Sequence, residues 1–201
     1  MLFNTSDISA LENYRLLVCG VTPRPIAWIS TQSAAGVNNL APYSFFNVVS
    51  CNPPILMVSH LQPQNGQDKD TLLNLLETKE CVVNVVNVAL AERMNQTCAS
   101  LSRDQSEFEF AQVDSCASAQ VKPLSVMDAP VRYECRLREV SRMSTLPMGG
   151  TMILLDVVAV YVADELALEG GMIKQPLIDT VGKMGGDWYS GTRELFEMKR
   201  P

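Results

Sequence analysis

The sequence predicts a mainly β protein, a small barrel with peripheral helices, and three observations carry that expectation. Six or more runs rich in β-branched and aromatic residues are spread along the chain, connections short enough for hairpins join most of them, and only two helical stretches intervene. A doubly wound parallel sheet needs a crossover, usually a helix, between successive strands, and this order does not supply one. The 201 residues, read as one domain over 1–201, are enough for a sizeable core.

The residues before Pro23 read as a short N-terminal segment. The first strand is Pro25-Ile26-Ala27-Trp28-Ile29-Ser30-Thr31, entered past Pro23 and Pro25. Ala34-Ala35-Gly36 turns the chain, and Val37 to Ala41 pairs back as a second strand. Pro42 ends that strand or confines it to an edge, because proline brings no N–H to a ladder. Phe45 to Ser50 and Ile55 to Ser59 are two more strands around Cys51-Asn52-Pro53-Pro54, so the four are expected to form a meander.

A helix follows, with Asp70 or Thr71 as N-cap, Leu72, Leu73, Leu75 and Leu76 on its packed face, and an end at Lys79. Cys81 to Val88 reads as a buried strand and Leu90 to Ala99 as a second helix. Residues 100–119 are polar, with Glu107-Phe108-Glu109-Phe110 as their apolar anchor, and are expected to form a surface excursion. Two long strands, Val131 to Met143 and Thr151 to Val162, turn around Leu146 to Gly150. The tail, 170–201, carries Trp188, Tyr189 and Phe196. At about 25 cal/mol per Å² that is too much apolar surface to leave in water, so the tail is expected to pack on the barrel or on a second subunit.

Composition narrows the function. The chain is 47% hydrophobic and 19% charged with a net charge of −6, and its sixteen Lys and Arg are scattered rather than clustered. This argues against nucleic acid and anionic membrane as partners. No apolar run approaches the roughly 20 residues of a bilayer span, and Met1 to Thr5 lacks the start of a secretion signal, so the expected location is the cytoplasm. The six cysteines show no C-x-x-C spacing and read as free thiols. With His60 as the only histidine, neither a zinc site nor a hydrolytic triad is expected, and no G-x-S-x-G is present. His60 reads equally as a polar strand end or as part of a ligand site. Rossmann and P-loop glycine patterns are also missing.

Three segments together offer what a phosphorylated isoalloxazine needs. Arg24 to Thr31 has a guanidinium at one end, hydroxyls at the other and a flat apolar stem between. Asn39-Leu40-Ala41-Pro42-Tyr43-Ser44-Phe45-Phe46-Asn47 interleaves small polar groups with aromatic rings. Lys69-Asp70-Thr71 sets a cation and a hydroxyl at a helix N-terminus, where unpaired N–H groups favour an anion. Each also has a purely structural reading as strand-end polarity, a sheet edge or ordinary capping.

The order and wording of these segments, with Gly36, Asn52-Pro53-Pro54, Val82-Val83-Asn84-Val85-Val86 and Gly182-Lys183-Met184-Gly185-Gly186-Asp187-Trp188-Tyr189, resemble the flavin reductase-like family of FMN-binding split β-barrels. The resemblance implies a homodimer with FMN between two barrels and NADH or NADPH as electron donor. It further implies an electron-accepting protein, such as a monooxygenase component, as a possible partner. Carried over by position, Arg24, Trp28, Ser30 and Thr31 would lie along the flavin. Ser44, Phe45, Phe46 and Asn47 would contact its ring and ribityl chain, and Ser59, Lys69 and Thr71 would hold the phosphate. Asp70 would cap the helix, and Asn84 is a further candidate. Where the family often has Arg this chain has Lys183, and near Thr151 it lacks the family's frequent His. Because the cofactor carries the chemistry, no catalytic side chain is assigned.

Overall fold

The computed structural model describes residues 1–201. It opens with a helix, α1 (Ala10–Gly20), where the sequence reading expects only a short segment. A reciprocal capping box starts it: the Glu12 N–H donates to the Ser9 hydroxyl, and the Ser9 N–H donates to the Glu12 carboxylate at 2.9 Å. Only Val18 of this helix is buried, so it lies on the surface.

The expected first strand is divided into β1 (Arg24–Pro25) and β2 (Ala27–Gln32), followed by β3 (Asn38–Tyr43), β4 (Phe46–Cys51) and β5 (Pro54–Leu61). Then come α2 (Asp70–Thr78), β6 (Glu80–Val85), α3 (Ala91–Gln96) behind a short 3-10 turn, α4 (Glu107–Phe110) and the small pair β7 (Ser115–Cys116) and β8 (Ser125–Val126). The long strands β9 (Val131–Arg142) and β10 (Gly150–Val162) match their expected spans. The chain closes with α5 (Gln175–Ile178), β11 (Val181–Lys183) and β12 (Tyr189–Gly191).

Seven strands form one antiparallel sheet in the order β3-β2-β6-β9-β10-β5-β4. This corrects the expected meander. The β2–β3 and β4–β5 hairpins stand at opposite ends of the sheet, because the bend at Ser44 and Phe45 carries the chain across instead of folding β4 back on β3. Register shifts along the β9–β10 ladder strengthen the twist. The sheet thereby curls until β3 faces β5. The Tyr43 and His60 rings lie 6.3 Å apart there, and the Ser59 N–H donates to the Phe45 carbonyl at 2.8 Å. No ladder joins β3 to β5, so the barrel is split along that seam. Pro42 sits in β3, an end strand of the sheet, where its missing donor costs nothing.

Strand β2 is buried on both faces. Ala27 and Ile29 join Leu56, Val58, Leu72, Leu75 and Leu155 inside the barrel, whereas Ile26 and Trp28 join Leu40, Val86, Met94, Phe108 and Val113 in a second core outside it. The 100–119 stretch is therefore not a mere surface excursion: Phe108, Ala111 and Val113 are buried in that outer core, and Phe110 is exposed. On α2 the buried positions are Thr71, Leu72, Asn74 and Leu75, with Leu76 turned to solvent. Lys69 is the N-cap of this helix and supplies no side-chain cap, while Asp70 is its first helical residue. The expected capping role of Asp70 is thus corrected: its carboxylate faces outward to Arg103 at 3.1 Å.

A second small sheet, β1-β11-β12, fastens the tail. A Cβ at Gly182 would lie 2.7 Å from the Pro23 Cβ and 2.9 Å from the Ser190 Oγ, so only glycine lets the neighbouring strands close on β11. The apolar residues of the tail stay open, Trp188 in the β11–β12 connection being 77% exposed and Phe196 beyond the sheet 83%. No helix is long and apolar enough to cross a membrane.

Candidate functional site

The three segments singled out in the sequence converge at the start of α2. From β2, the Thr31 hydroxyl accepts from the Asn74 amide at 3.0 Å. From β3, the Asn39 amide donates to the Thr71 hydroxyl at 3.1 Å. Beside them opens a cleft of about 260 Å³. Asn39, Ala41, Pro42 and Tyr43 form one side, Lys69, Asp70 and Thr71 the end, and Thr97 to Leu101 with Glu107 the facing wall. Burial pushes the Tyr43 phenol up to about 12, with the Thr71 hydroxyl opposing, so it is neutral at any physiological pH.

The end of the cleft suits an anion. The leading N–H groups of α2 have no partner within the helix, and the helix dipole favours negative charge there. The Lys69 ammonium forms no ion pair with any carboxylate of the chain. The two acids in the cleft are muted. Asp70 is paired with Arg103, and the Glu107 carboxylate accepts the Leu40 N–H at 2.9 Å while burial raises its pKa.

Just behind this end, His60 is fully buried, with Nδ1 3.5 Å from the Tyr43 hydroxyl and Nε2 3.8 Å from an Asp68 oxygen. The other Asp68 oxygen meets Arg142 at 2.8 Å, and Arg142 also donates to Gln62 at 2.7 Å. These bonds brace the segment that leads into Lys69. Burial, and then the Lys69 charge, push the imidazole pKa down, so His60 is the neutral member of the group.

The remaining candidates have more varied places. Trp28, Ser30, Thr31 and Asn84 are fully buried, so their side chains present no surface to the cleft and support it from behind. The Trp28 indole donates to the Thr97 hydroxyl at 2.9 Å, and the Ser30 hydroxyl donates to the Leu124 carbonyl. Asn84 donates to the Trp28 carbonyl at 2.9 Å and accepts the Val126 N–H at 3.0 Å. The Arg24 guanidinium is committed to the carbonyls of Val18, Val21 and Met184 and lies 3.4 Å from the Ser44 hydroxyl. It lines, with Phe46, a separate cleft of about 220 Å³. Phe45 faces a third, beside Tyr14 and Leu146. Asn47 is exposed on β4, with its side chain accepting the Val48 N–H at 2.8 Å, and Ser59 is half-buried on β5.

Sequence reasoning did not mark the wall from Thr97 to Leu101, which has no periodicity. Glu107 was visible only as an acid set among aromatic residues.

A family model described as "Flavin reductase like domain" matches residues 19–185. The chain is 36% identical to the uncharacterized protein BH2278 of Halalkalibacterium halodurans, across 100% of this chain and 97% of that one. Among solved structures, component B of nitrilotriacetate monooxygenase from Bacillus cereus is 31% identical, with a TM-score of 0.92 over 98% of both chains. The 2-nitrobenzoate 2-nitroreductase NbaA of Pseudomonas fluorescens is 29% identical, with a TM-score of 0.91 over 100% of this chain and 96% of that one.

Proposed function

Because the chain belongs to the flavin reductase-like family, we propose that it is a homodimeric, cytoplasmic FMN-binding oxidoreductase. It takes hydride from NADH or NADPH and passes the electrons to free flavin or to a protein acceptor such as a monooxygenase component. The observation that carries this reading is the unpaired Lys69 ammonium at the open start of α2, in a cleft whose two acids are already engaged. A protein of net charge −6 attracts anions only where it builds such a place.

Lys69, the leading N–H groups of α2 and the Thr71 hydroxyl would hold the phosphate, and Asn39 to Tyr43 would flank the ribityl chain. Bound FMN would supply the two-electron chemistry, and the protein orients and shields it. The residues lining the cleft fit that division, since no imidazole or free carboxyl is poised there to move a proton. The likeness to component B of nitrilotriacetate monooxygenase, at 31% identity, supports delivery of electrons to an oxygenase partner. Exposed Val48 and Val49 on β4, an end strand of the sheet, and exposed Trp188 and Phe196 in the tail support a second copy as their cover.

One observation favours a second reading, an FMN electron carrier that nicotinamide does not reduce. The Lys183 ammonium donates to the carbonyls of Gly186 and Trp188 and lies over the Tyr189 ring at 4.2 Å, so it is not free for a nicotinamide nucleotide. An absorption spectrum of the purified protein, FMN titration and anaerobic addition of NADH or NADPH separate the two. Bleaching of the bound flavin is the expected outcome. Binding without bleaching selects the carrier, and a protein that ignores added FMN overturns both.

A further inference from the structure

We infer that the cleft admits flavin mononucleotide and excludes flavin adenine dinucleotide, with Arg103 as the residue that sets this selectivity; the inference rests on placing the flavin phosphate at Lys69 to Thr71. The wall facing that end is not a loose loop. At its start the Thr97 hydroxyl accepts from the Trp28 indole at 2.9 Å and donates to the Met94 carbonyl at 2.7 Å. At its far end Glu107 accepts the Leu40 N–H. Between these anchors Arg103 crosses to α2, meeting Asp70 at 3.1 Å and both Glu77 oxygens at 2.9 and 3.0 Å. Asp70 and Glu77 are about two turns apart, so the guanidinium lies as a strap along the outer face of the helix. The Ser102 hydroxyl donates to the Gln105 side chain at 2.9 Å and stiffens the turn that carries the strap.

A wall tethered in three places gives the cleft a fixed size. Its volume is about 260 Å³ and its lining ends at Ser100 and Leu101, so it takes the phosphate end of a flavin and leaves a further nucleotide outside. A terminal phosphate monoester stops at the helix start. A pyrophosphate must continue outward past Ser100, Leu101 and Asp70, the last held in place by Arg103 from an adjoining cleft that Arg103 lines with Glu77.

The test is a fluorescence titration of the full-length protein with FMN, FAD and riboflavin. Wild-type protein is expected to bind FMN at least about tenfold more tightly than FAD, and more tightly than riboflavin. Arg103→Ala and, independently, Glu77→Gln should each tighten FAD by about threefold while leaving FMN within about twofold, the scale of an exposed ion-pair network. Equal affinity of wild-type protein for FMN and FAD, or parallel changes for both flavins in the variants, overturns the strap and leaves the phosphate site standing. Failure to bind either flavin, or riboflavin binding as tightly as FMN, overturns the phosphate site itself and the strap with it.

Discussion

The interior of the barrel and the core outside β2 each bury twelve residues, yet they are closed by different means. Inside, antiparallel ladders run almost all the way round, and each strand is held by its neighbours' backbone. Outside, the cover is α3, α4 and irregular chain, and single polar bonds hold it down: Trp28 to Thr97, Ser30 to Leu124, Asn84 to Val126 and Leu40 to Glu107. The cleft opens on this outer side. A wall attached by a few directed bonds can be shaped around a ligand without disturbing a ladder, which is how one strand serves both a rigid scaffold and a site.

The largest expected effect tests whether the two cores are separate at all. Leu155→Ala empties the barrel interior and should cost about 2–5 kcal/mol, and Trp28→Ala empties the outer core and should cost about 3–5 kcal/mol. Because β2 is packed on both faces, both variants should unfold in one step, with near- and far-ultraviolet circular dichroism coinciding. A Trp28→Ala protein that loses its near-ultraviolet signal well before its far-ultraviolet one would show that the outer core melts alone.

A smaller effect separates scaffold from site. Lys69→Ala should weaken FMN binding by about 1–3 kcal/mol, the range for a charge-assisted hydrogen bond, while thermal stability stays unchanged. Unchanged FMN affinity in a calorimetric titration would remove Lys69 from the site.

The same contrast explains what the sequence makes legible. Ladder-closed strands leave a trace: Val131 to Met143 and Thr151 to Val162 can be read directly, because β-branched runs record a buried, hydrogen-bonded environment. Their partners cannot. The order that sends β4 away from β3 depends on a bend at Ser44 and Phe45 with no glycine or proline to announce it. The cover of the outer core is nearly silent, since Phe108, Ala111 and Val113 follow neither period and lie among polar residues. Helix α1 did have a signal, the Ser9 and Glu12 pair, but only Val18 marks a buried face to accompany it. At the site, the motif residues were legible as a group while their division of labour was not. Trp28, Ser30 and Asn84 carry the same letters whether a side chain meets a ligand or fastens the outer cover, and Thr31 whether it does so or bonds to α2.

Thr97→Val probes one of those fasteners. It keeps the shape of the side chain and leaves the Trp28 indole N–H buried without an acceptor, at a cost of about 1–2 kcal/mol by urea denaturation. Since Thr97 also lines the cleft, FMN affinity should fall with it, and Thr97→Ser should restore both. Loss of stability with full FMN affinity would mean the wall is positioned without this bond.

The smallest expected effect comes from the seam, where barrel and site meet at His60. The imidazole pKa is pushed below its ordinary 6.5, burial being the main cause, with Lys69 and Arg142 acting in the same direction, Asp68 opposing and neutral Tyr43 on the other side. The unfolded chain therefore binds a proton that the folded chain refuses. Stability from this source is complete above about pH 6.5 and drains away as pH falls through the unfolded value toward the lower folded one, with a slope of at most about 1.4 kcal/mol per pH unit. His60→Gln removes that titration. Urea denaturation of both proteins from neutral to mildly acidic pH should show the wild-type losing ground while the difference between the two narrows. Parallel pH profiles would mean that His60 titrates alike in the folded and unfolded chains, and that the seam is wetter than its burial indicates.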